Sequence, residues 1–282
     1  SVNMDIHASA VNPHDGRLYI LLDDDLLHLD ARSQKPIVDI ETGIMGRSLA
    51  IDNDAGTLLI GTEEGSVLSR SLYDSSTMPN EKGPTGSQNA GIYALAVDDY
   101  GTIWGAGNCT IHFKPVGEAV WNEYDYCPTQ NIETPSDIMI IGDSVYLATT
   151  NAGVHILNYI TSSSSGSVSV SVDSQTDWST QNFLSSDQIT DLEVVGNHLL
   201  IATSDSGINR RDLTAQSWIA TWSTNNWLAS NQIHGLSLTP GWLHILAGTT
   251  VHAYDTNTLI FQSQNQLSQL GLYGNGAMAI AW

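Results

Sequence analysis

Short apolar runs alternate with turn signals along the whole chain. Leu18-Tyr19-Ile20, Leu58-Leu59-Ile60, Ile103-Trp104, Val145-Tyr146-Leu147, Leu199-Leu200-Ile201 and Leu243-His244-Ile245 each follow a polar turn. Those turns are His14-Asp15-Gly16, Asp54-Ala55-Gly56, Asp99-Tyr100-Gly101, Gly142-Asp143, Gly196-Asn197 and Pro240-Gly241. Apolar runs of this length, bounded by Gly, Asp, Asn or Pro, are hairpin signals, and each run reads as a second strand. No 3.6-residue periodicity competes with them.

The runs recur at a fixed distance. With Tyr19, Leu59, Trp104, Tyr146, Leu200 and His244 as equivalent positions, the spacings are 40, 45, 42, 54 and 44 residues. The repeat is explicit where Trp178-Ser179-Thr180-Gln181-Asn182-Phe183-Leu184-Ser185-Ser186-Asp187-Gln188-Ile189 matches Trp222-Ser223-Thr224-Asn225-Asn226-Trp227-Leu228-Ala229-Ser230-Asn231-Gln232-Ile233, 44 residues on. Each period holds an inner apolar strand and a second strand. A third follows, such as Val154-His155-Ile156-Leu157, then a polar outer strand such as Ala119-Val120-Trp121-Asn122-Glu123-Tyr124. Four strands in ~40–45 residues is the blade of a β-propeller, whereas solenoid rungs are shorter. The long spacing is accounted for by Thr161 to Asp173, where alternating Val168, Val170 and Val172 predict a lengthened outer strand or an extended hairpin.

The expected fold is therefore all-β: one propeller domain over 1–282 with four-stranded blades. The repeats fall at about 4–44, 45–88, 89–132, 133–184, 185–228 and 229–272, with the inner strand of a seventh at 273–282. The ring is six- or seven-bladed on this reading. An inner strand ending at Trp282 exposes unpaired backbone, so either the polypeptide continues or a protein partner or neighbouring subunit completes the seventh blade.

Composition adds a setting. Only 14% of the 282 residues are charged and 41% are apolar, against ~25% and ~45–50% in ordinary globular domains. Ser, Thr, Asn and Gln fill the difference, which suits exposed β-structure in an extracellular or cell-surface protein. Lys and Arg number 9 against 30 Asp and Glu, for a net charge of −21, which argues against nucleic acid and anionic membranes as partners. No apolar run reaches the ~18 residues of a membrane span, so no membrane insertion is expected. The chain opens on Ser1 without a basic-then-apolar leader and reads as processed or excised.

Leu184-Ser185-Ser186-Asp187-Gln188-Ile189-Thr190-Asp191-Leu192 followed by Ile201-Ala202-Thr203-Ser204-Asp205-Ser206-Gly207-Ile208-Asn209-Arg210 resembles the propeller repeat of two-component regulators. So do Leu95-Ala96-Val97-Asp98-Asp99-Tyr100-Gly101-Thr102-Ile103-Trp104 and Ile60-Gly61-Thr62-Glu63-Glu64-Gly65. The resemblance implies an extracellular or periplasmic propeller, commonly seven-bladed, used for sensing or binding. It implies no catalytic residues.

Antiparallel strands put the turns between second and third strands on the same face as the loops leading into each inner strand. That face would carry Asp23, Asp24, Asp25, Glu63, Glu64 and Asp205 on turns, with Glu41, Asp137 and Asp187 on loops. The turn carboxylates are candidate ligand-binding residues. Ca²⁺ is the one cofactor such oxygens suggest. No Asp-x-Asp-x-Asp-Gly segment with a later Glu occurs, however, so the rim reads as solvated and no metal site is assigned. Trp227, on a crossing loop, and Trp242, beside a turn, are candidates for stacking a glycan. Trp178 and Trp222 read as packing residues of outer strands. The third-strand residues His28, Ser69, His112, His155, Asn209 and His252 read as inter-blade packing or hydrogen-bonding residues. Cys109 and Cys127 fall on one face of one blade, where a disulfide would fit secretion while two reduced thiols stay an alternative. Asn108-Cys109-Thr110 fits the N-glycosylation pattern.

Catalytic motifs are missing: no His-Glu-x-x-His, Gly-x-Ser-x-Gly or Walker loop occurs. The reading is a non-catalytic protein-interaction or assembly module of a larger surface protein or multi-subunit structure. A glycan- or small-ligand-sensing propeller is the alternative, and a polysaccharide lyase or glycosidase the third.

Overall fold

The computed structural model describes residues 6–22, 25–29, 36–41, 45–73, 80–81, 91–127, 132–164 and 167–266. Twenty-four strands in chain order form six four-stranded sheets and no helix. Blade 1 is β1 (Ala8–Val11), β2 (Leu18–Leu21), β3 (Asp25–Leu29) and β4 (Pro36–Glu41); blade 2 is β5 (Gly46–Asp52), β6 (Thr57–Thr62), β7 (Val67–Ser71) and β8 (Asn80–Glu81). Blade 3 is β9 (Ala94–Val97), β10 (Ile103–Gly107), β11 (Thr110–Lys114) and β12 (Asn122–Asp125); blade 4 is β13 (Pro135–Ile141), β14 (Ser144–Thr149), β15 (Val154–Ser164) and β16 (Ser167–Trp178). Blade 5 is β17 (Ile189–Val195), β18 (His198–Thr203), β19 (Ile208–Asp212) and β20 (Ser217–Trp222); blade 6 is β21 (Ile233–Thr239), β22 (Trp242–Ala247), β23 (Thr250–Asp255) and β24 (Phe261–Gln266). Each sheet keeps sequence order from inner to outer strand, as propeller blades do. The seventh inner strand expected at 273–282 lies outside the described residues, as do Asp23 and Asp24.

The chain divides into two compact units, one of 1–147 with 155–176, the other of 148–154 with 177–282. In the first, the inner strands β1, β5, β9 and β13 are neighbours in succession; in the second, β17 lies beside β21. The long spacing between blades 4 and 5 is an extended hairpin: β15 and β16 run 11 and 12 residues against 6 for β14. Its inward Val170 is buried and joins the core of the first unit.

Alternation along the strands builds the cores. In β18 and β22, Leu200, Ala202, Leu243, Ile245 and Ala247 meet Trp222 and Tyr254 in the second unit, all essentially buried. In the first unit Trp104, fully buried, stacks on Phe113 at 5.0 Å and lies 4.9 Å from Tyr159. Its indole N–H donates to Asp98 Oδ2 at 3.0 Å, while the Tyr100 and Thr102 amides donate to Asp98 Oδ1 at 3.0 and 2.8 Å. One carboxylate thus closes the hairpin turn and satisfies the core indole. The outer strand β24, by contrast, is exposed along its full length.

The turns from second to third strand are fastened by a buried threonine. Thr203 donates both its amide and its hydroxyl to the Gly207 carbonyl, at 2.9 and 2.8 Å, and Thr149 does the same to Gly153 at 2.9 and 3.0 Å. Both glycines have positive φ, and a Cβ on either would collide with a backbone carbonyl, of Trp222 and Trp178 respectively. Gly207→Ala should cost about 3–5 kcal/mol, from overpacking against unyielding backbone plus the left-handed conformation. Gly196→Ala, at a positive-φ turn with open space around it, should cost only about 1–2 kcal/mol. Denaturant unfolding of the two variants checks the ranking.

Candidate functional site on the crossing loops

The two copies of the repeated segment are the loops that cross from β16 to β17 and from β20 to β21, and they fold alike. In the first, the Asn182, Phe183 and Leu184 amides donate to the Ser179 carbonyl at 2.9–3.1 Å; in the second, the Asn226, Trp227 and Leu228 amides donate to Ser223 at 3.0–3.1 Å. Asn182 Oδ1 accepts the Ser179 amide at 2.8 Å and Asn226 Oδ1 the Ser223 amide at 2.7 Å. The Thr180 amide donates to Asp187 Oδ1 at 2.6 Å, as the Thr224 amide does to Asn231 Oδ1 at 2.8 Å. The blade beneath grips each loop: Gly153 donates to the Asp187 carbonyl at 3.0 Å and Gly207 to that of Asn231 at 2.8 Å. These short polar side chains bond to nearby backbone, which makes an irregular loop as well satisfied as a strand.

Third-strand residues hold the same loops from below, as the hydrogen-bonding reading expects. Asn209 Oδ1 accepts the Ser185 amide at 3.1 Å, and His252 Nε2 accepts the Ala229 amide at 3.2 Å. Burial lowers the His252 pKa, which keeps the ring neutral for that role. In blade 4, His155 Nε2 is 2.6 Å from Glu133 Oε2, a buried pair. His112 differs: it is fully buried in the first unit, and neither ring nitrogen has a hydrogen-bond partner among the described residues.

Trp178 and Trp222 are buried, as their periodicity implied. Arg210 lies 4.5 Å over Trp222, whose other neighbour is Tyr254, stacked at 4.9 Å; Arg211 lies 4.8 Å over Trp178 and 5.3 Å over Trp218. Trp227, by contrast, is 56% exposed although its loop is fixed, its carbonyl accepting the Tyr254 hydroxyl at 3.0 Å. Burial pushes that hydroxyl up to about 12, so it stays a donor. Phe183, at the equivalent point of the other loop, is half-exposed and stacks on Trp218 at 5.7 Å.

The described candidate carboxylates are divided between the two units. Asp205 tips the β18–β19 turn in the second unit and is exposed. Beside it is an open cleft of about 470 Å³, lined by Thr150, Asn151, Thr180, Ser185, Ser186, Asp187, Gln188 and Asp205. In the first unit Glu63 is ion-paired to Arg47 at 2.7 Å, and Arg47 Nη1 lies 3.1 Å from His7 Nε2. Glu64 is exposed, and Asp25 starts β3 opposite Glu41 in register. Trp242 is exposed but opens β22 opposite Thr239, at the other end of blade 6 from Trp227. No stacking platform unites the two indoles. Among the described residues no group of three His, Cys, Asp or Glu could hold a metal. Phe183 could have been found by its period equivalence to Trp227. Thr150, Asn151 and Ser185 carry no signal that separates them from the chain's many other short polar residues.

Cys109 and Cys127 are disulfide-bonded, 18 residues apart. Around them the Tyr126 hydroxyl donates to the Gly107 and Glu133 carbonyls at 2.9 and 3.2 Å and accepts the Cys109 amide at 3.1 Å. Burial raises its pKa strongly, which preserves the donor. Asn108 sits in the same turn half-buried, its Oδ1 turned inward without a partner.

No family model matches the chain, the two-component-regulator repeat included, and no curated protein sequence matches it. Solved propellers do. The WD40 β-propeller domain of Doa1 superposes with TM-score 0.68 at 13% identity, over 94% of this chain and 83% of that one. U3-55K gives 0.66 at 11% identity, over 94% and 82%; a chain of the mitotic checkpoint complex gives 0.65 at 13%, over 89% and 74%. At these identities the likeness is one of fold: an all-β propeller with six four-stranded blades.

Desolvation lowers the His112 pKa to about 4. Between about pH 6.5 and 4 the unfolded chain binds a proton there that the folded chain refuses, so acidification across that window should remove up to roughly 3 kcal/mol of stability. His234, His244 and His252 are shifted the same way. The specific test is therefore His112→Leu, which should flatten the dependence of the denaturation midpoint on pH between 7 and 4.5.

Proposed function

We propose that this propeller is a non-catalytic protein-interaction and assembly module of an extracellular or cell-surface protein, and that the crossing loops of its second unit are the docking face. The observation that carries the reading is Trp227. A large indole stands 56% exposed on a loop whose own backbone is held by Ser223, Asn226 and Asn231. A rigid loop loses little conformational entropy on binding, and an exposed indole on such a support is the type of residue that anchors protein interfaces. The Cys109–Cys127 disulfide supports an oxidising setting. The structural neighbours include a propeller from a multiprotein assembly, the mitotic checkpoint complex.

The test is affinity capture from the medium and surface fraction of the producing cells, with wild type, Trp227→Ser and Trp242→Ser compared by quantitative mass spectrometry. One or more proteins should be retained by wild type and Trp242→Ser and depleted by about tenfold or more on Trp227→Ser, the scale of a central interface aromatic. Melting temperatures should be unchanged. Equal capture by all three would remove the crossing loops as the docking face.

A further inference from the structure

The cleft beside Asp205 carries a charge that its loop does not need. Asp187 fastens the first crossing loop, accepting the Thr180 amide at 2.6 Å and hydroxyl at 2.8 Å. In the second loop the residue 44 positions on is Asn231, which accepts the Thr224 amide at 2.8 Å and whose carbonyl takes the same bond from the turn glycine below. An amide oxygen is therefore enough for the architecture, and the negative charge at 187 is additional to it. The other acidic residue of the cleft, Asp205, stands on the β18–β19 turn of 204–207, which has no counterpart of the same length in blade 6, where 248–249 alone join β22 to β23. The two loops share their fold and their hydrogen-bond lattice, yet only the first carries a carboxylate at this position, and Asp205 adds a second to the cleft.

The rest of the lining is uniform in kind. Thr150, Asn151, Thr180 and Ser185 present hydroxyl and amide groups, and no apolar or basic side chain lines the cleft. About 470 Å³ is ample for one long side chain. Without an apolar wall, the site offers nothing to a hydrophobic ligand or to the stacking face of a sugar ring. Two carboxylates fall short of the ~6–8 oxygens that Ca²⁺ takes in a dedicated site. Carboxylates together with neutral acceptors fit a group that is both charged and rich in N–H donors, which describes a guanidinium and, less fully, an ammonium.

We propose that this cleft receives the arginine or lysine side chain of a protein partner, beside the aromatic loop tips. The proposal rests on the reading of the crossing loops as a docking face and specifies the chemistry of what docks there. Asp205, exposed on its turn, supplies the approachable charge; Asp187, tied to Thr180, supplies a fixed one that loses little freedom on binding. The partner's counterpart surface is basic, and the net charge of −21 speeds its approach without defining where it lands.

The probe is N-acetylarginine amide, titrated into the ¹⁵N-labelled protein at 150 mM NaCl and followed by amide chemical shifts, with N-acetylcitrulline amide as its uncharged isostere. Saturable shifts should be confined to residues 150–151, 180–188 and 205, with citrulline at least about tenfold weaker, the usual difference between charged and neutral partners. Asp187→Asn with Asp205→Asn should abolish the shifts, and Asp54→Asn, on an exposed turn of the first unit, should leave them intact. The proposal is overturned if arginine produces no shifts, if citrulline equals it, or if the shifts scatter over the acidic surface. It is equally overturned if CaCl₂ or a neutral oligosaccharide perturbs these residues while arginine does not. Such an outcome alongside Trp227-dependent capture would remove the cleft and leave the docking face standing; loss of both would remove the interaction reading itself.

Discussion

The second unit depends on how closely a turn can approach the strand end above it. At Gly207 and Gly153 the backbone passes so near the carbonyls of Trp222 and Trp178 that no side chain fits between them. The positive φ that makes the approach comes at no steric cost only for glycine. From that contact the other features follow in order. The glycine amide is left pointing at the crossing loop, where it meets the carbonyl of Asn231 or Asp187. Thr203 or Thr149 beneath it closes the turn with two bonds to the same glycine, and the tryptophan whose carbonyl is fixed is delivered to its packing partners. Arg210 and Tyr254 cover Trp222, and Arg211 covers Trp178. A loop that would otherwise bring unpaired backbone into a half-buried place becomes part of the blade.

Blade 3 reaches the same end by different chemistry. There the disulfide and the Tyr126 hydroxyl do what the threonine–glycine turn does elsewhere. The phenol bonds three backbone groups around Cys109, Cys109 itself takes a positive φ without being glycine, and the cross-link to Cys127 holds that conformation in place. Glu133, whose carbonyl accepts from Tyr126, turns its side chain to His155, and Gln175 Nε2 lies 3.3 Å from the other ring nitrogen. A buried polar chain of this kind is stable only when its members are satisfied together. The histidine at the repeat position thus pairs with a carboxylate here and takes a loop amide in blade 6, while that of blade 3 has no hydrogen-bond partner among the described residues.

What the sequence made legible was whatever the period repeats. Strand number and order, the burial of Trp178 and Trp222, the hydrogen-bonding role of Asn209 and His252 and the pairing of the two cysteines all follow from placing one repeat on another or two residues on one blade face. What it hid was whatever depends on register across non-equivalent elements. The ion pair of Glu63 was hidden because its partner, Arg47, belongs to a different strand at the bulge between Gly46 and Ser48. Trp227 and Trp242 were both stacking candidates from their places on a loop and beside a turn, yet β21 carries the chain from one end of the blade to the other between them. The cleft was hidden for a third reason, since Ser, Thr and Asn acquire meaning only from the three segments that bring them together.

The two crossing loops hold some positions constant and vary others. Of the twelve positions from Trp178 to Ile189 and from Trp222 to Ile233, eight are identical and four differ: Gln181 and Asn225, Phe183 and Trp227, Ser185 and Ala229, Asp187 and Asn231. The identical residues include the buried Trp, Leu and Ile and the Ser, Thr and Asn side chains that bond the loop to itself. Three of the four differing pairs are exposed in both copies, and the fourth keeps its bond while changing its charge. They fall on every second residue, so one side of the loop is held constant while the other is free to vary. Differences on the solvent side are what a stable loop tolerates at little cost, whereas the solvent-facing aromatic present in both copies is not required by the loop's own hydrogen bonds. Exposed aromatics cost solubility, and a loop already satisfied by its own hydrogen bonds gains little from them. On this rigid support the aromatic of each copy stands exposed, Trp227 by more than half and Phe183 by half, and it is on these two residues that the proposed docking face rests.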